Sequence, residues 1–166
     1  MILRICVESG WLRIIAAGEF SLAEAQRTFL EMLDAVARHK TEKILFDGRE
    51  LKGDPNTIQR FLYGAFAAHA VTRYIIERGV PRASQFAYLL QEPVLDPQRF
   101  GETVAVNRGM SVKAFDNLED ALGWLSRAPA NKLDAGGAWQ GKLPAKAEGV
   151  TFELAVNWIG KHISRP

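Results

Sequence analysis

One cysteine, three histidines and no long apolar run set the first limits on this chain of 166 residues. With Cys6 alone no intrachain disulfide can form, and a reducing, cytoplasmic setting is the natural expectation. His39, His69 and His162 lie far apart with no second thiol beside them, so no metal-ligand spacing is present and no metal site is expected. The longest nearly uncharged stretch, Phe61 to Val71, falls well short of the roughly 20 residues that a spanning helix needs, and it contains His69. No membrane span is expected. Arg4, Glu8 and Arg13 interrupt the first apolar residues, so a secretory leader is not expected there either.

Charge of one sign is also missing. The net charge is +2, and residues 128–166 hold Lys132, Lys142, Lys146, Lys161 and Arg165 against Asp134, Glu148 and Glu153. That surplus accounts for the whole imbalance, so residues 1–127 are neutral. A nucleic-acid partner is not expected, because such binders carry a basic face.

What is present is the pattern of a globular α/β chain, with 48% hydrophobic and 24% charged residues. Leu3, Ile5 and Val7 alternate with Arg4, Cys6 and Glu8, and Leu12, Ile14 and Ala16 repeat the alternation after Ser9-Gly10, which predicts a β-hairpin. Ser21 with Glu24 forms a capping box before Leu22, Ala25, Phe29, Leu33 and Val36, predicting a helix over about 21–39. Lys43 to Phe46 is a short strand ending at Asp47-Gly48. Asp54 as N-cap and Pro55 at the first helical position open a second helix that runs to about Arg78. Phe86–Leu90 is a strand, Pro97 opens a helix ending near Arg108-Gly109, Ser111–Phe115 is a last strand, and Asn117 caps a helix through Leu125.

The order is ββαβαβαβα, a mixed central sheet of about five strands with helices mainly on one face. One domain over 1–127 is expected, then a linker over 128–149 rich in Ala, Gly, Pro and Lys, then a C-terminal amphipathic helix over 150–166. On such a sheet Ile2, Cys6, Trp11 and Ile15 face away from the main helical layer and must be exposed or covered by something else.

This arrangement resembles the STAS domain, named for sulfate transporters and anti-sigma factor antagonists, and more closely the SpoIIAA-like family. The likeness spans about residues 1–127 and is carried by Gly18-Glu19-Phe20-Ser21, by Ile44-Leu45-Phe46-Asp47-Gly48-Arg49, and by Ala114-Phe115-Asp116-Asn117 leading into Ala121-Leu122-Gly123-Trp124-Leu125. The resemblance implies a non-catalytic regulatory or protein-interaction module. Anti-sigma antagonists carry a phosphorylatable serine in an Asp-Ser-Ser-Gly setting after the central strand, and residues 47–57 lack it. Thr57 is the only hydroxyl there, and its reading at a helix N-terminus is structural. Some SpoIIAA-like domains also resemble lipid-binding folds, which implies an alternative role as carrier or sensor of a small apolar ligand.

Chemistry-bearing patterns are few. Gly136-(x4)-Gly141-Lys142 has Leu143 where a P-loop needs a hydroxyl, and Pro144 where the helix should run, so it reads as linker. Neither Asp47 with Glu50 nor Glu92 with Asp96 is set apart as an acid/base pair, and no cofactor or enzymatic activity is expected. The candidate ligand or partner site is positional: Asp47, Arg49, Asp54 and Asn56 lie between a strand end and a helix N-terminus, with Arg108 after a later helix. Arg49 suits a carboxylate or phosphate, and equally an Asp47–Arg49 loop brace. Phe61, Phe66 and Val71 exceed what one buried helix face holds, so with Phe152, Trp158 and Ile159 they form the candidate interface. A homodimer or another protein partner would cover them.

Overall fold

A computed structural model describes residues 1–127. It comprises β1 (Ile2–Glu8), β2 (Trp11–Glu19), α1 (Leu22–His39), β3 (Lys43–Lys52), α2 (Thr57–Glu77), β4 (Gln85–Leu89), α3 (Phe100–Val106), β5 (Val112–Phe115) and α4 (Leu118–Ser126). The expected linker and C-terminal helix, with Phe152, Trp158 and Ile159, lie outside the described residues.

The five strands stand in the sheet in chain order. β1 and β2 are antiparallel, and β2 through β5 are parallel. Three successive crossovers that all advance in one direction, all of the usual right hand, must place α1, α2 and α3 on one face. They do: these helices enclose the larger core with Leu12, Ile14, Ile44, Phe46, Phe86 and Tyr88. α4 follows the last strand, crosses to no further one, and folds onto the opposite face, where Ala121 and Leu125 meet Leu45, Ala87, Leu89 and Phe115. Leu45 and Ala87 are thus buried from the second side, as expected for central parallel strands.

Three boundaries differ from expectation. β3 does not stop at Asp47-Gly48 but continues to Lys52, with a one-residue slip against β2 between the pairs Ile15↔Asp47 and Ala17↔Glu50. Gly48 lies within the strand, closely covered by side-chain ends: a Cβ there would lie 2.7 Å from Leu90 Cδ2 and 2.9 Å from both Leu51 Cδ1 and Phe46 Cε1. α2 is capped by Asn56, not Asp54. A capping box needs a side-chain acceptor three residues on, and Gln59 supplies it: Asn56 Oδ1 accepts from Gln59 N, and Asn56 N donates to Gln59 Oε1, both at 2.9 Å. α3 begins at Phe100 rather than Pro97. Asp96 accepts from the backbone N–H of Gln98 and Phe100, and Arg99 takes a left-handed φ of 55°, so the chain turns before the helix starts.

Candidate functional site

Asp47, Arg49 and an arginine that sequence reasoning passed over, Arg13, form one cluster. Asp47 is 5% exposed on β3. Its Oδ2 accepts from Arg13 Nη2 and Arg49 Nη2, and its Oδ1 from Arg49 Nε, all at 2.8 Å. The hydrogen bonds from Arg49 outweigh the opposing effect of burial and, with that from Arg13, hold the Asp47 carboxyl at about 2. A carboxylate so held exchanges no proton near neutrality, and Arg49 spends its fork on it. The brace reading of this pair is the one its geometry favours. Arg13 lay hidden because a strand arginine signals nothing until pairing places it beside the acid.

The other candidates do not join this cluster. Asn56 is occupied in the cap of α2, where Thr57 is the first helical residue, and Asp54 lies 3.4 Å from Arg60. Arg108 donates to Val104 O and stacks over the Phe61 ring at 5.4 Å.

Part of the apolar excess on α2 is taken up within the domain. Val71 is buried, and Phe66, half-buried, packs edge-on against Phe29. α2 meets the sheet and α1 on one side and α3 on another. Phe61 alone of the three is exposed, at 40%, together with Ile58 and Ile76. His69 of the same helix is exposed as well. On the far face of the hairpin, Ile2 is exposed while Cys6, Trp11 and Ile15 are half-buried.

An apolar concavity lies elsewhere, between α2, α3 and the carboxyl ends of β3 and β4. It is a partly open cavity of about 140 Å³. Phe46, Leu51, Tyr88, Leu90 and Val112 form the sheet wall; Tyr63, Gly64 and Ala67 of α2 and Gly101 and Ala105 of α3 form the roof. The roof is low because a Cβ on Gly64 would stand 2.5 Å from Gly101 O. Glycine at both positions lets the helices approach this closely, and small side chains over the sheet leave the space unfilled.

Polar groups interrupt this lining, the tyrosine pair and Arg60 among them. The hydroxyls of Tyr63 and Tyr88 pair at 3.0 Å, and burial pushes Tyr63 up to about 12 and Tyr88 well above its ordinary value. One proton serves the pair, leaving the other hydroxyl proton without an acceptor within it. The second feature is Arg60, whose guanidinium donates to Pro55 O, Val94 O and Pro93 O at 2.7, 2.9 and 2.8 Å, fastening the loop after β4 to the start of α2. Sequence reasoning missed Tyr63, Tyr88, Arg60 and the glycine pair. The available signal was Gly64, Ala67 and Ala68 in a helix otherwise rich in large residues. Among the described residues no group of three or more His, Cys, Asp or Glu is placed to hold a metal, and no helix is long and apolar enough to cross a membrane.

No family model matches the chain, and no curated protein matches it. Among solved structures it is similar to an anti-sigma factor antagonist from Mycobacterium paratuberculosis, at 11% identity and a TM-score of 0.48, over 76% of this chain and 94% of that one. It is also similar to an uncharacterised protein of the DUF3478 family with a SpoIIAA-like fold from Shewanella loihica PV-4. There the identity is 22% and the TM-score 0.41, over 75% of this chain and 92% of that one.

Proposed function

We propose that the domain is a non-catalytic binding module that takes a small, mainly apolar ligand into the cavity beneath α2 and α3. The observation that carries this reading is the cavity itself, set in an otherwise close-packed core. An apolar occupant would remove the cavity's apolar lining from water, worth roughly 25 cal/mol per Å² of apolar surface buried. The cavity volume is close to that of cavities that accept a benzene-sized group. The spare Tyr63–Tyr88 proton gives one donor to orient an occupant, in keeping with small-molecule sites that are mostly apolar with few polar groups. A reducing, cytoplasmic setting remains part of the proposal, supported by the single Cys6.

The test is calorimetric titration of benzene into the full chain and into Ala67→Leu. Saturable binding that is lost in the variant supports the reading. Absence of saturable binding, or binding that Ala67→Leu leaves unchanged, refutes it.

A second reading, a protein-interaction module that forms a homodimer, is favoured by β1. This edge strand leaves Ile2 75% and Val7 60% exposed, and an unpaired apolar edge is a template for a further strand. Light scattering decides it: a dimer that Val7→Lys converts to a monomer supports self-association through β1, and a monomeric parent chain contradicts it.

A further inference from the structure

Four charged side chains border the cavity, and three are already engaged. Arg60 is bound to three backbone carbonyls. Asp96 accepts the N–H of Gln98 and Phe100. Glu102 accepts the N–H of Ala114 at 2.8 Å, which ties α3 to β5. The fourth, Arg99, differs. Its Nη1 is buried without a hydrogen-bond partner, and the residue lines the cavity. A guanidinium cannot shed its charge, so a buried nitrogen of this kind costs free energy until an acceptor meets it. The position is awkward as well. Arg99 sits at φ 55°, where an L side chain is rare, and its side chain makes no capping hydrogen bond to α3. Neither local backbone preference nor helix capping accounts for arginine here.

We propose that the cavity takes an anionic amphiphile, a carboxylate on a short alkyl chain, whose head group pairs with Arg99 while the chain lies against Phe46, Leu51 and Val112. This rests on the reading of the cavity as an apolar-ligand site and specifies the ligand class. A carboxylate fits the fork of a guanidinium, and the pairing is strong where water is scarce. About six carbons fill the enclosed part, by comparison with cavities that hold benzene.

The experiment is calorimetric titration of the full chain with octanoate, 1-octanol and acetate. Octanoate binds at least about tenfold more tightly than octanol, as one charge-assisted hydrogen bond implies, and acetate binds far more weakly than either. In Arg99→Met, octanoate falls to the level of octanol while octanol is unchanged; Arg99→Lys restores part of the preference. Octanol binding in each variant shows that the cavity has formed. If octanoate and octanol bind the parent chain equally, or if Arg99→Met leaves their ratio intact, the anionic class is overturned while the apolar site stands. If acetate matches octanoate, the chain contributes nothing and the amphiphile is overturned. If neither octanoate nor octanol binds, the cavity reading falls, and the proposal falls with it.

Discussion

The helix-bearing face of the sheet has two ends that are packed differently. Toward the amino ends of the parallel strands, Met32, Leu33 and Val36 of α1 close on Leu12, Ile14, Ile44 and Phe86 with almost no exposure. Toward the carboxyl ends, Ala25 and Thr28 of α1 and Gly64 and Ala67 of α2 stand over Phe46, Tyr88 and Ala114, and a cavity remains. The same two helices serve both ends. Side-chain size along them changes from large to small within three turns, so one end supplies stability and the other supplies space. Phe29 stands at the boundary, with its ring centroid 6.1 to 6.2 Å from those of Tyr63, Phe66 and Phe86.

Substitutions that exploit this difference have graded effects. Phe29→Ala removes the boundary ring and lowers stability by about 3–5 kcal/mol, whereas Leu51→Ala on the cavity wall, where space already exists, costs about 1 kcal/mol. Urea unfolding measures both, and equal costs would erase the distinction between the ends. Small-to-large changes invert the order. Ala35→Leu overpacks the filled end and costs about 1–3 kcal/mol, while Ala67→Leu enters the cavity and stays within about 1 kcal/mol of the parent. Gly64→Ala is a sharper probe. Its Cβ meets the Gly101 carbonyl rather than the cavity, so a loss of about 1–3 kcal/mol is expected even at the hollow end.

The opposite face and the cavity also differ in their response to pH. Asp47 has a folded value near 2 against an ordinary 3.8. Its contribution, on the order of 2 kcal/mol, is fully present above about pH 4 and is lost as the pH falls toward 2. Asp47→Asn flattens that acid limb of a stability–pH curve. Tyr63 is raised, so its neutral form is favoured in the fold; its contribution is present below pH 10 and is lost as the pH rises toward 12. All three tyrosines, Tyr63, Tyr74 and Tyr88, are raised. Tyrosinate absorbance at 295 nm therefore rises later in the folded chain than in urea. A Tyr63→Phe variant loses about 1 kcal/mol with the hydroxyl pair, an effect present below pH 10 and fading toward pH 12.

Much of the fold was legible in the sequence, and the reason is periodicity. Alternation in residues 2–16, helical spacing after Ser21 and the Asn117 cap each state a local structure that tertiary contacts do not overturn. The misplaced boundaries arose where a local signal had a tertiary competitor. Asp47-Gly48 looks like a turn, but pairing with β2 continues through Lys52 and keeps β3 extended, with the side-chain ends of Phe46, Leu51 and Leu90 packed close over Gly48. Asp54-Pro55 looks like a helix start, but only Asn56 has a Gln three residues on. The site was less legible. The carboxyl-end rule pointed to the end of the sheet where the cavity lies, but to the loop of Asp47, Arg49, Asp54 and Asn56, whose polar groups are engaged in bracing and capping. An unfilled space has no residue of its own: it arises from Gly64 meeting Gly101 across α2 and α3, a pairing that no spacing along the chain reveals.

The most direct test of the hollow end as a binding site is a methyl-resolved NMR titration with 1-octanol, following alanine and valine methyls. Saturable shifts confined to Ala67, Ala105, Val112 and Ala114, with Ala35 and Val36 unmoved, are the predicted result. Shifts at Ala35 and Val36 of equal size, or none at the cavity methyls at saturating octanol, would contradict the account.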